Sequence, residues 1–512
     1  MKRSKVDETR IDVREHGEKR LDTGTAEPPT PRIAILGAGI SGLCMAIQLK
    51  KAGISSFTIY EKSNGVGGTW RDNTYPGAGC DVPSHLYSFS FESKADWTRK
   101  YAEQPEILQY LEQCGQKYGI VPHIQFNTKI ADARFDETEG VWRLCTGTGE
   151  EITVNILISG CGQLNQPHYP EIPGLDSFEG TTFHSARWNH QHDLAGKNVA
   201  VFGNGASAIQ FIPHIAPKTK KLYVFQRSAN WMIPKADRKY APFEQWIFRH
   251  FPAVAWLYRY FLYLQLEKNF FAFFKGSRYS KQVENSTEQL LSKVSDPHLK
   301  DVLRPDYPVG CKRILISNDF YTSIQNPNVE VVTTPIKQVT RDGVITSDDQ
   351  SRPVDTIIFA TGFEATTFLT PMKVEGLSSM TLETAWKEGA EAYLGVAVSG
   401  FPNFFMLYGP NTNLGHNSII FMIECQVGYV VQCIQKLMDR NLLYLDVRRE
   451  AMDQYNQELQ ENIKKSVWDA SCKSWYKTET GKVTTNWPSF SAQYWWRTRR
   501  PNFSEYYQRP RF

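Results

Sequence analysis

The stretch RIAILGAGISGLCMAIQLKKAG, Arg32 to Gly53, decides the reading of this chain. Its IAIL run is short and apolar, as expected of a buried parallel strand. It leads directly into Gly37, Gly39 and Gly42, and the residues that follow carry apolar side chains at helical spacing as far as Gly53. FTIYEK, Phe57 to Lys62, is a second buried strand, so the segment forms a β-α-β unit. In such a unit Gly37 permits the tight bend and Gly39 lets the backbone approach a pyrophosphate. Gly42 allows close helix–strand packing, and the helix N-terminus faces the anion. Glu61 lies 19 residues beyond Gly42, at the end of the second strand. A carboxylate there accepts hydrogen bonds from both hydroxyls of an adenosine ribose, so this turn is expected to hold FAD.

Further along, the chain repeats the pattern. NVAVFGNGASA, Asn198 to Ala208, is a strand running into Gly203, Asn204, Gly205, Ala206 and Ser207, with Ala208 where a third glycine would stand. The next strand, LYVFQRS, ends in Arg227 and Ser228 with no acid. An arginine there suits a ribose carrying a 2′-phosphate, so the second turn is expected to hold NADPH; a solvated surface arginine is the plainer alternative. Two dinucleotide sites imply electron transfer between cofactors. The expected fold is α/β, with two Rossmann-like dinucleotide-binding domains and a helical insert. The FAD domain is expected over 32–178 and 356–512, the NADPH domain over 189–355 with an aromatic insert at about 240–300, and a linker over 179–188. Residues 1–31, charged and ending in prolines, are expected to be a disordered tail.

Composition narrows the function. The 512 residues carry 58 basic and 54 acidic side chains, a net charge of +4, which disfavours a nucleic-acid binder driven by bulk charge. Aromatics reach 13%, which fits an apolar ligand cavity and equally fits large cores. The nine cysteines are scattered with no C-x-x-C pair, so reduced thiols are expected, with no disulfide framework and no metal site. No secretory or mitochondrial leader is evident, and no run of about 18 uncharged apolar residues exists. The expected location is cytoplasmic, with peripheral membrane contact left open.

Between the two turns lies FEGTTFHSARWN, Phe178 to Asn189. It resembles the fingerprint of type I Baeyer–Villiger monooxygenases at Phe178, Gly180, His184 and Trp188, and departs from it at Asn189. The related flavin-containing monooxygenases, which oxygenate N and S, usually carry Tyr where Trp188 stands. GGTWRDNTYPGAGCD, Gly67 to Asp81, is similar to a second motif of the family, and FATGF, Phe359 to Phe363, to a third.

The resemblance implies that NADPH reduces FAD and that a C4a-peroxyflavin formed with O₂ attacks a ketone, giving an ester or lactone. Its chemistry requires a fixed positive charge beside the developing anions. Arg313, in GCKRILISNDFY, matches the family's active-site arginine, with Asp81 positioning it. A structural ion pair is the plainer reading of Arg313. Lys312 matches a residue reaching the 2′-phosphate with Arg227, and Tyr87 a flavin-contacting position; Thr69, Trp70, Asp72 and Val82 are expected to contribute mainly backbone contacts. His184 is expected to orient the linker and Trp188 to pack. The alternative activity is N- or S-oxygenation; a reductase passing electrons to a partner would have no use for Arg313. The substrate is expected to be a small apolar molecule, with O₂ as co-substrate. The aromatic segment from Phe243 to Phe274 is interrupted by Arg249, Arg259, Glu267 and Lys268, so it does not span a bilayer. It is expected to be a helical insert shaping substrate access, with an amphipathic membrane-surface helix as the alternative.

Overall fold

Strand Ile33–Leu36 is buried at all four positions, because parallel neighbours flank it and helices cover its faces. It pairs in parallel with Phe57–Tyr60 on one side and Ile156–Ser159 on the other. Phe404–Met406 and Ile124–Gln125 complete a five-stranded parallel sheet. The second parallel sheet runs Val329–Val332, Lys221–Phe225, Asn198–Phe202, Thr356–Phe359, Thr181–His184. In each sheet the strand that opens the Gly-rich turn feeds a helix, Ile40–Lys51 or Ala206–Ile215. Each fully buried Leu, Ile or Val in these layers contributes roughly 1.5–3 kcal/mol of transfer free energy. The computed structural model describes residues 30–511, so the expected tail falls almost wholly outside the described residues.

Two glycines show why the turns need them. A Cβ at Gly42 would overlap the Gly37 carbonyl oxygen. Gly203 has φ +105° and a Cβ there would sit 2.5 Å from the Ala360 carbonyl oxygen, so the second turn is packed against the end of a neighbouring strand.

The expected boundaries at 178/189 and 355/356 do not follow the sheets. Thr181–His184 and Thr356–Phe359 are both strands of the second sheet, paired from Thr356↔Thr181 to Phe359↔His184. Long-range parallel pairing makes an edge strand out of the fingerprint linker, and nothing local in the sequence announces it.

The aromatic segment is helical. Pro242–His250 and Pro252–Glu267 each begin with proline, which suits a first helical turn, and Lys268–Phe273 and Arg278–Leu291 follow. Among the described residues no helix is long and apolar enough to cross a membrane, and no group of side chains could hold a metal ion. The aromatic residues divide three ways: Trp97, Trp142 and Trp468 are fully buried, Trp70 and Trp475 line a cavity, and Trp246, Trp256, Trp495 and Trp496 are exposed.

The expectation of reduced thiols throughout is corrected at one pair. Cys311 and Cys472 form a disulfide across 161 residues of chain, while the other seven cysteines are free. Count and spacing carry no trace of this pairing, because it depends on two distant loops meeting beside the cavity.

Candidate active site

The residues following the parallel strands of both sheets converge on one cavity of about 660 Å³. Gly37 and Gly39 follow the first strand of the first sheet, Glu61 the second, Gly160 to Gln163 the third and Tyr408 the fourth. From the second sheet come Gly205 to Ser207, Arg227 with Ser228, and Ala360 to Phe363. Ligands of open parallel sheets sit at the carboxyl ends of strands, so the fold itself selects this place.

At the first turn the helix begins at Ile40 with Gly39 as N-cap, no capping side chain and no acid in its first turn. The second helix begins the same way after Gly205. Both therefore offer backbone N–H groups and positive dipole ends to an anion, which fits a pyrophosphate at each. Glu61 is buried and anchored: its carboxylate accepts from Ala38 N at 2.7 Å and Ser63 N at 2.8 Å. The carboxylate is held in place at the cavity wall, where hydroxyl groups of a ribose would meet it.

The second turn ends differently. Lys312 Nζ donates to Ser228 Oγ at 2.6 Å and stands 4.3 Å from the centre of the Tyr307 ring. Its pKa is lowered, first by burial and then by the charge of Arg227. Two cations held together are a fit for a phosphate dianion, which would relieve their repulsion. Asn204 is turned away from the cavity and stitches the turn to this strand end, donating to Gln226 Oε1 at 2.7 Å and to the Ser228 carbonyl at 3.0 Å.

Arg313 and Asp81 meet on the cavity wall, joined by a charge-assisted hydrogen bond from Arg313 Nη2 to Asp81 Oδ2. Their side chains are 30% and 32% exposed, so the pair adds on the order of 1 kcal/mol or less to stability, and its main effect is positional. Burial would raise the Asp81 pKa, but the charge of Arg313 and its hydrogen bond outweigh it and hold the carboxyl below its ordinary value. The charge of Asp81 in turn raises the Arg313 pKa against burial. Trp70 Nε1 donates to Tyr87 Oη at 3.1 Å, and Tyr408 Oη donates to Asn413 Oδ1 at 2.6 Å, forming further wall. Thr69, Asp72 and Val82 also line the cavity.

The two halves are bolted together beside this pair. Gln210, on the second half's helix, accepts from Tyr75 Oη at 3.0 Å and donates to the Gly79 carbonyl at 3.0 Å. The loop it grips is the one that carries Asp81.

Other expected residues serve the frame. Gly42, Gly203 and Ala208 pack the turns away from the cavity. Phe178 and Gly180 pack on each other, since a Cβ at Gly180 would overlap the Phe178 ring. His184 is fully buried, accepts from Ala186 N at 3.1 Å, and has its pKa pulled down to about 4, chiefly by burial. It is a neutral joint residue at the end of the edge strand. Trp188 packs between Phe183 and Phe211, each ring centre 5.2 Å away.

Several lining residues escaped the sequence reading: Tyr408, Asn413, Leu414, Asn417, Gln210 and the segment Lys473 to Trp475. The run YGPNTNLGHN directly follows a buried strand, so the strand-end rule could have flagged its first members. Gln210 and Lys473 to Trp475 have no such local signal.

The fold and site define a class of flavoprotein. A family model described as flavin-binding monooxygenase-like matches residues 30–384, and the chain belongs to that family. A relative named Baeyer-Villiger monooxygenase, from Pseudomonas aeruginosa, is 43% identical over 488 residues, covering 94% of this chain and 93% of the relative. Among solved structures, an oxidized steroid monooxygenase bound to NADP superposes with a TM-score of 0.82 at 28% identity, covering 94% of this chain and 100% of that one. OTEMO in complex with FAD and NADP gives 0.82 at 29% identity, covering 92% and 97%.

Proposed function

We propose that the chain is an FAD- and NADPH-dependent monooxygenase of the Baeyer–Villiger type, inserting one oxygen atom of O₂ into a ketone to give an ester or lactone. The observation that carries this reading is the Arg313–Asp81 pair on the wall of one cavity shared by the two dinucleotide turns. FAD reduced by NADPH supplies the oxygen-activating chemistry when bound. The protein's part is to bind, orient and stabilise charge.

Glu61 accepts the ribose hydroxyls of FAD, while the helix N-terminus after Gly39 faces its pyrophosphate. Arg227, Lys312 and Ser228 grip the 2′-phosphate of NADPH, and the helix after Gly205 its pyrophosphate. Arg313 presents a permanent cation to negative oxygen developing on the substrate carbonyl. A guanidinium stays charged at any working pH and so does not quench the anion by giving up its proton. Asp81 fixes the direction of that guanidinium. Gln210 keeps the Asp81 loop and the second half in register. Trp70, Tyr87, Tyr408 and Trp475 wall the cavity with aromatic surface.

The test is incubation of the purified, FAD-loaded enzyme with NADPH, isotopically labelled O₂ and a panel of ketones. The expected product is an ester or lactone carrying one labelled oxygen. NADPH oxidation giving only peroxide across the panel, with labelled oxygen delivered to amines or sulfides instead, overturns the reading.

A further inference from the structure

The helix Pro252–Glu267 has two opposed faces. Ala255, Leu262 and Glu267 are buried, whereas the other half of the helix presents Val254, Trp256, Leu257, Tyr260, Phe261 and Leu264, with Trp256 61% and Phe261 58% exposed. The helix holds only one basic and one acidic side chain, and both are tied down. Arg259 donates to the His85 carbonyl at 2.7 Å and to the hydroxyl and carbonyl of Ser88, each at 3.0 Å. Glu267 accepts from Asn417 at 2.7 Å, Ser491 at 2.8 Å and Ala492 N at 3.2 Å. Sixteen residues therefore offer solvent an aromatic and aliphatic face with no charge.

The face extends beyond one helix. Phe243 and Trp246 are exposed on the preceding helix, and Trp495 and Trp496 on Ser491–Thr498. The last helix is joined to the first through Tyr263 and Ser491, whose hydroxyls lie 3.1 Å apart. The flanking sequence is basic. Lys268 directly follows the helix, Arg278 and Arg500 have no acidic partner among the described residues, and Arg499 lies 3.3 Å from the Trp496 ring centre. An exposed apolar patch of this extent marks a contact surface.

We infer that this face docks on an anionic phospholipid bilayer, with the Pro252–Glu267 helix lying in the interfacial plane. Tryptophan and tyrosine favour the headgroup boundary, and flanking cations meet lipid phosphates. Sixteen residues fall short of the roughly 20 a spanning helix needs. A second copy is the weaker occupant, because a two-fold contact sets each patch against itself and turns the same basic margins toward one another. The helix also reaches the cavity. Glu267 holds Asn417, which lines it, and Phe270 and Phe273 pack on His416 with ring centres 5.2 and 6.2 Å away. On the proposed oxygenase reading, the docked face delivers a bilayer-partitioned, long-chain ketone to the site.

The experiment uses the full-length, FAD-loaded enzyme and sedimented vesicles of phosphatidylcholine with or without phosphatidylglycerol. Binding is expected, tighter with phosphatidylglycerol and weakened by salt. The double variant Leu257→Glu with Phe261→Glu is expected to lower partitioning by about tenfold or more. It should keep its flavin and its rate on a short, water-soluble ketone. Should it lose flavin, Trp256→Ser and quenching of the unmutated enzyme's tryptophans by brominated lipid replace it, with quenching expected. No binding of the unmutated enzyme to either vesicle overturns the proposal. So does a light-scattering mass of two chains that falls to one in the variant, with vesicle binding unchanged. Delivery predicts that the variant loses kcat/KM on a vesicle-borne long-chain ketone by about tenfold while the short ketone is unaffected; equal values for both enzymes overturn it. An enzyme that binds vesicles but oxygenates no ketone would sink the functional reading and leave the docking intact.

Discussion

The two halves of the molecule use one device with opposite electrostatic endings. In both, a buried strand runs through a glycine turn into a helix without a capping side chain or a first-turn acid. In the first half the next strand ends in Glu61, anchored by two backbone N–H groups. In the second it ends in Arg227 and Ser228, joined by Lys312 from a distant loop. The backbone cradle is common to any dinucleotide, so on the proposed function the charge at the strand end carries the selectivity. The ion pair on the cavity wall then takes one member from each half: Asp81 from the first, Arg313 from the second.

Breaking the join between the halves should have the largest effect. Arg313→Ala removes a preorganised cation worth about 3–4 kcal/mol, or 10² to 10³ in rate. It should still bind FAD and oxidise NADPH, with the electrons leaving as peroxide instead of ester. Arg313→Lys should rescue poorly, since a point charge cannot reproduce the planar fork. The check is ester formed per NADPH consumed, with peroxide assayed alongside; a ratio near the unmutated value removes Arg313 from the mechanism.

Breaking one ending at a time should come next. Arg227→Ala is expected to cost about 1.5–3 kcal/mol of charge-assisted hydrogen bonding, lowering kcat/KM for NADPH by roughly 10- to 150-fold and leaving NADH little changed. Glu61→Gln should loosen FAD and leave the coenzyme preference alone. Flavin content and coenzyme ratios distinguish the two, and an unmutated enzyme that uses NADH and NADPH equally would contradict the assignment.

The smallest effects should come from comparing two carboxyls with different partners. Asp81 has a cation, so its pKa is lowered and its pairing is present above the ordinary carboxylate value, being lost only as pH falls through the depressed one. Coupling should accordingly be insensitive to Asp81 titration from pH 8 down to 5. Asp81→Asn should uncouple mildly at every pH in that range. Asp446 is held by backbone donors instead: it accepts from Gly400 N at 3.0 Å and burial pushes its pKa up to about 7. Its charged form costs stability progressively as pH rises from about 4 to about 7, and fully above that. Asp446→Asn should thus raise Tm by roughly a few °C at pH 8 and by less at pH 5. Thermal scans of both proteins at the two pH values decide it.

The parts of the site legible in the sequence were those bound to local geometry. A strand, a tight turn and a helix start occupy consecutive residues, so Gly37, Gly39, Glu61, Gly205 and Arg227 could be placed before any fold was known. The Arg313–Asp81 pairing rested on family resemblance, since 232 residues separate its members.

By itself the sequence determined two β-α-β units, the charge at each strand end, and helices in the aromatic segment, because each depends on the spacing of neighbouring residues. Tertiary structure alone decided that Thr181–His184 becomes an edge strand of the second sheet, that Cys311 meets Cys472, and that Gln210 locks the halves. It also decided which aromatics face inward and which form the bare face of Pro252–Glu267. These depend on contacts between residues far apart in the chain, where burial and pairing are set by the closing of the whole fold, and no local period records them.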